Sequence, residues 1–218
     1  MTKASTSYAT ARVVSLNVGD IREIEWHGRT VTTAIWKHPV AGRIALHGVN
    51  FHGDDQADRD VHGGPDKAVY AYAREDYDFW REHAGIQTPY GLFGENLTVE
   101  GLDLSSALVG EQWRVGSTLL EVAQPRLPCY KLGIRMGDAQ FPKRFLAASR
   151  MGAYLRVLEE GDVGAGDEVH IVFRPERSVM LSEMVEAIRD PTKAELLRRA
   201  PRLPAFWREV AQRDTRHS

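Results

Sequence analysis

"REIEWHGRTVTTAIW", residues 22–36, carries two β-prone runs on either side of His27-Gly28. A two-residue link ending in Gly between such runs predicts a β-hairpin. The same punctuation recurs from about residue 12 to 173. "RVVSLNV" (12–18), "KAVYAYA" (67–73), "ENLTVEG" (95–101), "STLLEVAQ" (117–124), "AYLRVLEEG" (153–161) and "DEVHIVF" (167–173) are separated by Gly, Pro, Asp and Asn. Within this region only "REDYDFWREH" (74–83) and "PKRFLAAS" (142–149) read as helices, the second with Pro142 at a first helical position. Many short strands with few helices predict a mainly β fold with some α, built as a closed or nearly closed β-barrel.

After Pro175 the period changes. Leu181, Met184, Val185 and Ile188 fall at i, i+3, i+4 and i+7, and Leu203, Phe206, Trp207 and Val210 repeat the spacing. Between them Asp190-Pro191 offers an N-cap and a proline at N1, opening a further helix through "TKAELLRRA". The chain therefore divides into a barrel domain, residues 1–175, and a small three-helix unit, residues 176–218. So short a unit is marginal alone, and is expected to pack on the barrel or on a second subunit as a homodimer.

Lysine and arginine number 28 against 30 aspartates and glutamates, so bulk charge gives no reason to expect a nucleic-acid or membrane partner. No apolar run approaches a spanning helix, and "MTKASTSYATAR" lacks the apolar middle of a signal peptide, which makes a cytoplasmic protein the expectation. The single cysteine, Cys129, leaves no internal disulfide and no four-cysteine iron–sulfur site.

Two stretches concentrate chemistry. "QADRDVHGGPDKAVYAY" (56–72) follows Asp54-Asp55 and passes through Asp58, Asp60, His62, Gly63-Gly64 and Asp66 to Lys67. The carboxylates could form a metal cage, but their spacing does not fit an EF-hand, and a solvated loop of Asx-turns is the plainer reading. The paired glycines with a lysine behind them describe an anion cradle, or an ordinary turn leading into a strand. In "QPRLPCYKLGIRMG" (124–137), Cys129 follows two prolines and is surrounded by Arg126, Lys131 and Arg135, with no acidic side chain in the stretch. A lone cysteine can be a small buried hydrophobe, but this cationic setting suits a nucleophile or a soft metal ligand.

Taken together, "QADRDVHGGPDKAVYAY", "LFGENLTVEGLD" (92–103), "LEVAQPRLPCYKL" (120–132) and "YLRVLEEGDVGAGD" (154–167) closely resemble the MOSC-domain proteins, whose name comes from the C-terminal domain of molybdenum-cofactor sulfurase. The match is best to the YiiM-type branch, which carries a short three-helix extension, and it covers about residues 12–213. The resemblance implies a MOSC β-barrel, a molybdenum cofactor (molybdenum–molybdopterin), and reduction of small N-hydroxylated compounds such as N-hydroxylated purine bases. It implies that Cys129 ligates molybdenum. Gly63, Gly64, Lys67, Arg126 and Lys131 would bind the cofactor's anionic and polar groups, and Asn96 would add an amide contact, with Gly94 permitting close approach. His62 is the expected proton donor, since imidazole titrates near neutrality; its plainer role is to hydrogen-bond the loop. The other histidines and the side chains of Tyr70, Tyr72 and Trp80 read as structural. The chain has no nicotinamide or flavin fingerprint, so electrons are expected from an external donor protein. Two other classes stand beside the reductase: a cofactor carrier or sulfur-transfer protein, and a metal-dependent hydrolase using the acidic loop. None of the four motifs lies in residues 176–218, and the ten basic and seven acidic side chains of residues 174–218 suggest a role in assembly or electron delivery.

Overall fold

His27 and Gly28 take positive φ, 50° and 72°, as a two-residue turn matched to strand twist requires. They join β2 (Arg22–Trp26) to β3 (Arg29–Thr33) in register from Arg22↔Thr33 to Trp26↔Arg29. The computed structural model describes residues 10–57, 63–86 and 89–212. Its other strands are β1 (Arg12–Val18), β4 (His38–Pro39), β5 (Arg43–His47), β6 (Asn50–Phe51), β7 (Val69–Ala73), β8 (Leu97–Glu100), β9 (Gln112–Val115), β10 (Thr118–Pro125), β11 (Ala153–Glu159), β12 (Gly161–Gly164) and β13 (Val169–Phe173). The helices are α1 (Arg74–Ala84), α2 (Tyr130–Met136), α3 (Phe141–Ala148), α4 (Leu181–Arg189) and α5 (Ala205–Gln212).

Eight strands form one sheet in the order β13-β9-β10-β11-β7-β8-β1-β4, and β12-β5-β6 form a second, smaller one. Pairing in the large sheet is antiparallel except between β7 and β8. A parallel pair needs a crossover, and α1 supplies it. The start of β1 returns to the approach of β13 through one bridge, Arg12↔Glu168, and backbone bonds Val13 N–H to Asp167 O and Val169 N–H to Ala11 O, both 2.8 Å. The mainly β class with α is as expected, and of the closed and nearly closed alternatives full closure is not met: among the described residues this seam is a single bridge, not a ladder. Gly166, at φ +95°, takes part in the seam, its N–H donating to the Val13 carbonyl at 2.8 Å.

β7 explains the two-sided core. All five residues of "VYAYA" are buried; the odd positions Val69, Ala71 and Ala73 enter the core inside the curled sheet, while Tyr70 and Tyr72 enter an aromatic cluster outside it. That cluster holds Trp80 from α1, Phe93, and Phe141 and Phe145 from α3. Trp80 Nε1–H donates to Tyr72 Oη at 2.8 Å, and Tyr70 O–H to the Met151 carbonyl at 2.9 Å, so the buried polar tips are satisfied. Tyr70, Tyr72 and Trp80 are core residues, as read from their spacing, and Tyr70 also lines the cleft described below.

The C-terminal helices share the barrel's core. Val179, Leu181, Met184, Leu197, Trp207 and Val210 belong to the same apolar cluster as Val122 and Leu155. Trp207 Nε1–H donates to Gln124 Oε1 on β10 at 2.9 Å, and Arg156 on β11 reaches the Arg202 carbonyl at 2.8 Å. The segment expected as a middle α-helix is a 3₁₀ run, Pro191–Arg199, opened as foreseen by Asp190, whose side chain accepts from Thr192 N–H at 3.0 Å. Phe206, expected on the apolar face, is 45% exposed; α5 begins at Ala205 and turns Trp207, Val210 and Ala211 inward instead.

Candidate functional site

The ends of β7, β10 and β11, the loop at residues 54–57 and the turn at residues 93–96 enclose a cleft of about 710 Å³ counting its open mouth. Cys129, Lys131, Arg126, Lys67 and Asn96 all line it, so residues separated by up to 64 positions are brought to one wall system. Gly94 lines it too.

Cys129 sits where β10 gives way to α2. Pro125 ends the strand, Pro128 stiffens the link, and Cys129 takes extended backbone (φ −126°, ψ 173°) as the residue before the helix. Its side chain is half-buried and makes no disulfide. The helix itself was not foreseen.

Arg126 is buried, 5% exposed, under the cleft. Its guanidinium stacks on Tyr70 and Phe145, each ring centroid 5.6 Å from Cζ, and hydrogen-bonds Tyr154. Burial works against its charge, but the oxygens of Tyr70 and Tyr154 and the Cys129 sulfur outweigh that and hold its pKa up. Nη1 is buried and has no hydrogen-bond partner among the described residues. A buried guanidinium nitrogen left unmatched is costly, which marks this wall as incomplete without an anionic or acceptor-rich ligand. Tyr154, lining the same cleft, is pushed up by burial and remains a neutral phenol.

The proposed glycine cradle is partly committed. Gly64 takes φ 85° and ψ 178°, which glycine alone adopts readily, but its N–H donates to Gln56 Oε1 at 2.9 Å. Gln56 in turn donates to the carbonyls of Val49 and Lys67, both at 3.2 Å, stapling the two sides of the loop. Gly63 lies beside this staple and Lys67 lines the cleft. His62, with Asp58 and Asp60, lies outside the described residues.

Asn96 lines the cleft with its amide already engaged. Oδ1 accepts from Tyr70 N–H at 3.1 Å, and Nδ2 donates to Asp54 Oδ2 at 2.8 Å and to the Asn17 carbonyl at 3.3 Å. It welds β7, β1 and the 54–57 loop. Gly94 does permit a close approach, at φ +81°, but by the protein: a Cβ there would lie 2.8 Å from Ile35 Cγ1. The turn carrying both is held by Glu95, fully buried, which accepts from Gly91 N–H (2.6 Å), Phe93 N–H (3.1 Å), Tyr77 O–H (2.5 Å) and Thr98 O–H (2.9 Å).

Among the described aspartates of the acidic stretch, Asp54 is buried and not solvated. Asp54 and Lys37 form an ion pair with side chains 3% and 8% exposed, and Asp54 Oδ1 also accepts from Gly19 N–H at 2.9 Å. Asp66 is paired with Arg156 at 2.5 Å. These aspartates are spent on cations of the protein, and among the described residues no three His, Cys, Asp or Glu side chains converge as metal ligands. Lys37 and Tyr154 are among the cleft residues that sequence reading missed. Nothing in "AIWKHPV" marks Lys37, because its partner lies 17 residues on; Tyr154 was hidden in the alternation of "AYLRVLE".

The MOSC-domain family profile matches residues 58–170. The chain is similar to the YflK protein of Bacillus subtilis (strain 168), with 39% identity over 167 residues, 77% of this chain and 76% of YflK. The crystal structure of YiiM from Geobacillus stearothermophilus superposes with a TM-score of 0.76 at 32% identity, covering 93% of this chain and 97% of that one. A protein of Gibberella moniliformis (strain M3125 / FGSC 7600) named Reductase is 33% identical over 152 residues, 68% of this chain but 27% of that protein.

Proposed function

This chain belongs to the MOSC-domain family, in its YiiM-type branch, and from that premise we propose that it is a molybdenum-cofactor-dependent reductase of small N-hydroxylated compounds. A molybdenum-associated function follows from the family; the fungal relative's name supports the choice of a reductase.

The residues present fit the cofactor. Cys129 offers a soft sulfur donor at a half-buried position, the type of ligand molybdenum takes from a protein. The unmatched Arg126 Nη1, with Lys67 and Lys131 on the same cleft, supplies donors and charge for a phosphate and for pterin acceptors. The observation that carries the reading is this conjunction of one sulfur and one orphaned buried guanidinium nitrogen. When bound, the cofactor supplies the two-electron chemistry that breaks the N–O bond. The protein's part is to hold the sulfur by a stiffened backbone, to fix the anion, and to shape a cleft walled by Ile35, Phe93 and Tyr154 in which a flat base can lie.

Electrons are proposed to come from an external donor protein. The test is turnover of N-hydroxylated adenine with reduced viologen dye, using protein expressed in cells that make the cofactor. Amine formation supports the reductase. Stoichiometric molybdenum without turnover supports a carrier instead.

A further inference from the structure

Deoxygenation consumes protons. The N–O bond breaks, two electrons enter from an external one-electron donor, one proton goes to the departing hydroxyl oxygen, which leaves as water, and one ends on nitrogen. Resting on the reductase reading above, we infer that Lys37 is the acid that protonates the departing oxygen, and that Asp54 positions it. In that step a Lys37 Nζ–H bond breaks as an O–H bond forms on the leaving oxygen, and solvent restores the ammonium.

Three observations carry this assignment. Lys37 and Asp54 are both nine-tenths or more buried, yet both line the cleft that contains Cys129. Asp54 is pinned by Gly19 N–H and Asn96 Nδ2 besides Lys37, so it is a fixed anchor that sets the ammonium's direction. A buried ion pair is a poor stabilising device compared with apolar packing, so its presence on a ligand-facing wall calls for a use. Of the other cleft groups, Lys67 and Lys131 are assigned above to the cofactor, and three more are less suited. Arg126 is held protonated, Tyr70 donates away from the cleft to Met151, and Tyr154 is bound to Arg126.

Burial pushes the Lys37 pKa down from the usual lysine range, toward the region where an acid turns over readily. Asp54, Glu95 and Asp55 face it and oppose that shift, while Lys67, Lys131 and Arg126 line the same cleft. Activity must therefore fall as pH rises through the Lys37 pKa, because the acid is then deprotonated.

The test uses holoprotein, with kcat measured across pH and molybdenum measured alongside. Lys37→Arg keeps the charge and the pair with Asp54 but cannot release a proton. It should retain wild-type molybdenum and circular dichroism while kcat drops by about 100-fold or more and the alkaline limb disappears. Asp54→Asn keeps Lys37 but removes the carboxylate that raises its pKa, so the alkaline limb should move to lower pH. A Lys37→Arg protein with at least half of wild-type kcat overturns the inference, as does loss of molybdenum from it, which would make Lys37 a cofactor-holding residue. If Lys37→Arg does not fold, an alkaline limb unmoved in Asp54→Asn overturns it equally. Failure of the reductase reading is separate and visible in the wild type, as absent molybdenum or absent turnover.

Discussion

Arg126 is under tension between two states of the protein. With nothing bound, it is a buried cation with one nitrogen unmatched; with an anion bound, that nitrogen has a charge-assisted hydrogen bond. Arg126→Met keeps an unbranched apolar stem between Tyr70 and Phe145 and discards the charge. It should weaken cofactor retention by about 1.5–3 kcal/mol, the worth of a hydrogen bond to a charged group. Cofactor-free thermal stability should hold or rise, since apolar replacements of buried charge are often neutral or stabilising. Molybdenum content after gel filtration, with a melting curve of cofactor-free protein, reads both. Unchanged molybdenum would make Arg126 a structural residue. The sequence made Arg126 and Cys129 conspicuous because cations, prolines and the only sulfhydryl fall within a few residues of one another. Lys37 was silent for the opposite reason: its meaning comes from Asp54, which in turn is fixed by Asn96, 42 residues further on.

At the scale of elements, the turn at residues 91–96 rests on Glu95. Burial pushes its carboxyl up, while hydrogen bonds from Tyr77, the Gly91 amide and Thr98 pull it back. Glu95→Gln turns one acceptor oxygen into an NH2 group facing donors, and should cost about 2–3 kcal/mol of stability by stranding at least one of them. Chemical denaturation would measure it, and a loss below 0.5 kcal/mol would show that the turn is held otherwise. The strands that were legible, β1, β2, β3, β7, β8, β10, β11 and β13, are β-prone runs bounded by breakers. β4 and β6, at two residues each, are too short to carry a period, and β12 "GDVG" has glycine at both ends. α2 escaped notice because "YKLGIRM" is a single short helix with Gly133 in it. That glycine has a packing reason, since a Cβ would sit 3.0 Å from the Asp138 carbonyl.

For the whole molecule, the decisive feature is that the C-terminal helices complete the core instead of decorating it. Trp207 is fully buried against the barrel and is bonded to Gln124, whose Nε2–H donates to the Asp66 carbonyl beside Lys67. Trp207→Ala should cost about 3–5 kcal/mol, and removal of residues 176–218 should leave no soluble folded barrel. A truncated chain with cooperative unfolding would contradict this. Three of the unit's basic residues are engaged by the protein: Lys193 by Glu186, Arg202 by Glu121, and Arg189 by the Leu146 carbonyl. The central claim, however, concerns one atom of the molecule, the Cys129 sulfur. The direct measurement is molybdenum per chain by mass spectrometry, in wild type and in Cys129→Ser, both made in cells that synthesise the cofactor. Exchanging a soft sulfur for a hydroxyl should leave the fold intact and take molybdenum from about one per chain to below about 0.1. Equal molybdenum in the two proteins, or another metal in its place, would contradict the account.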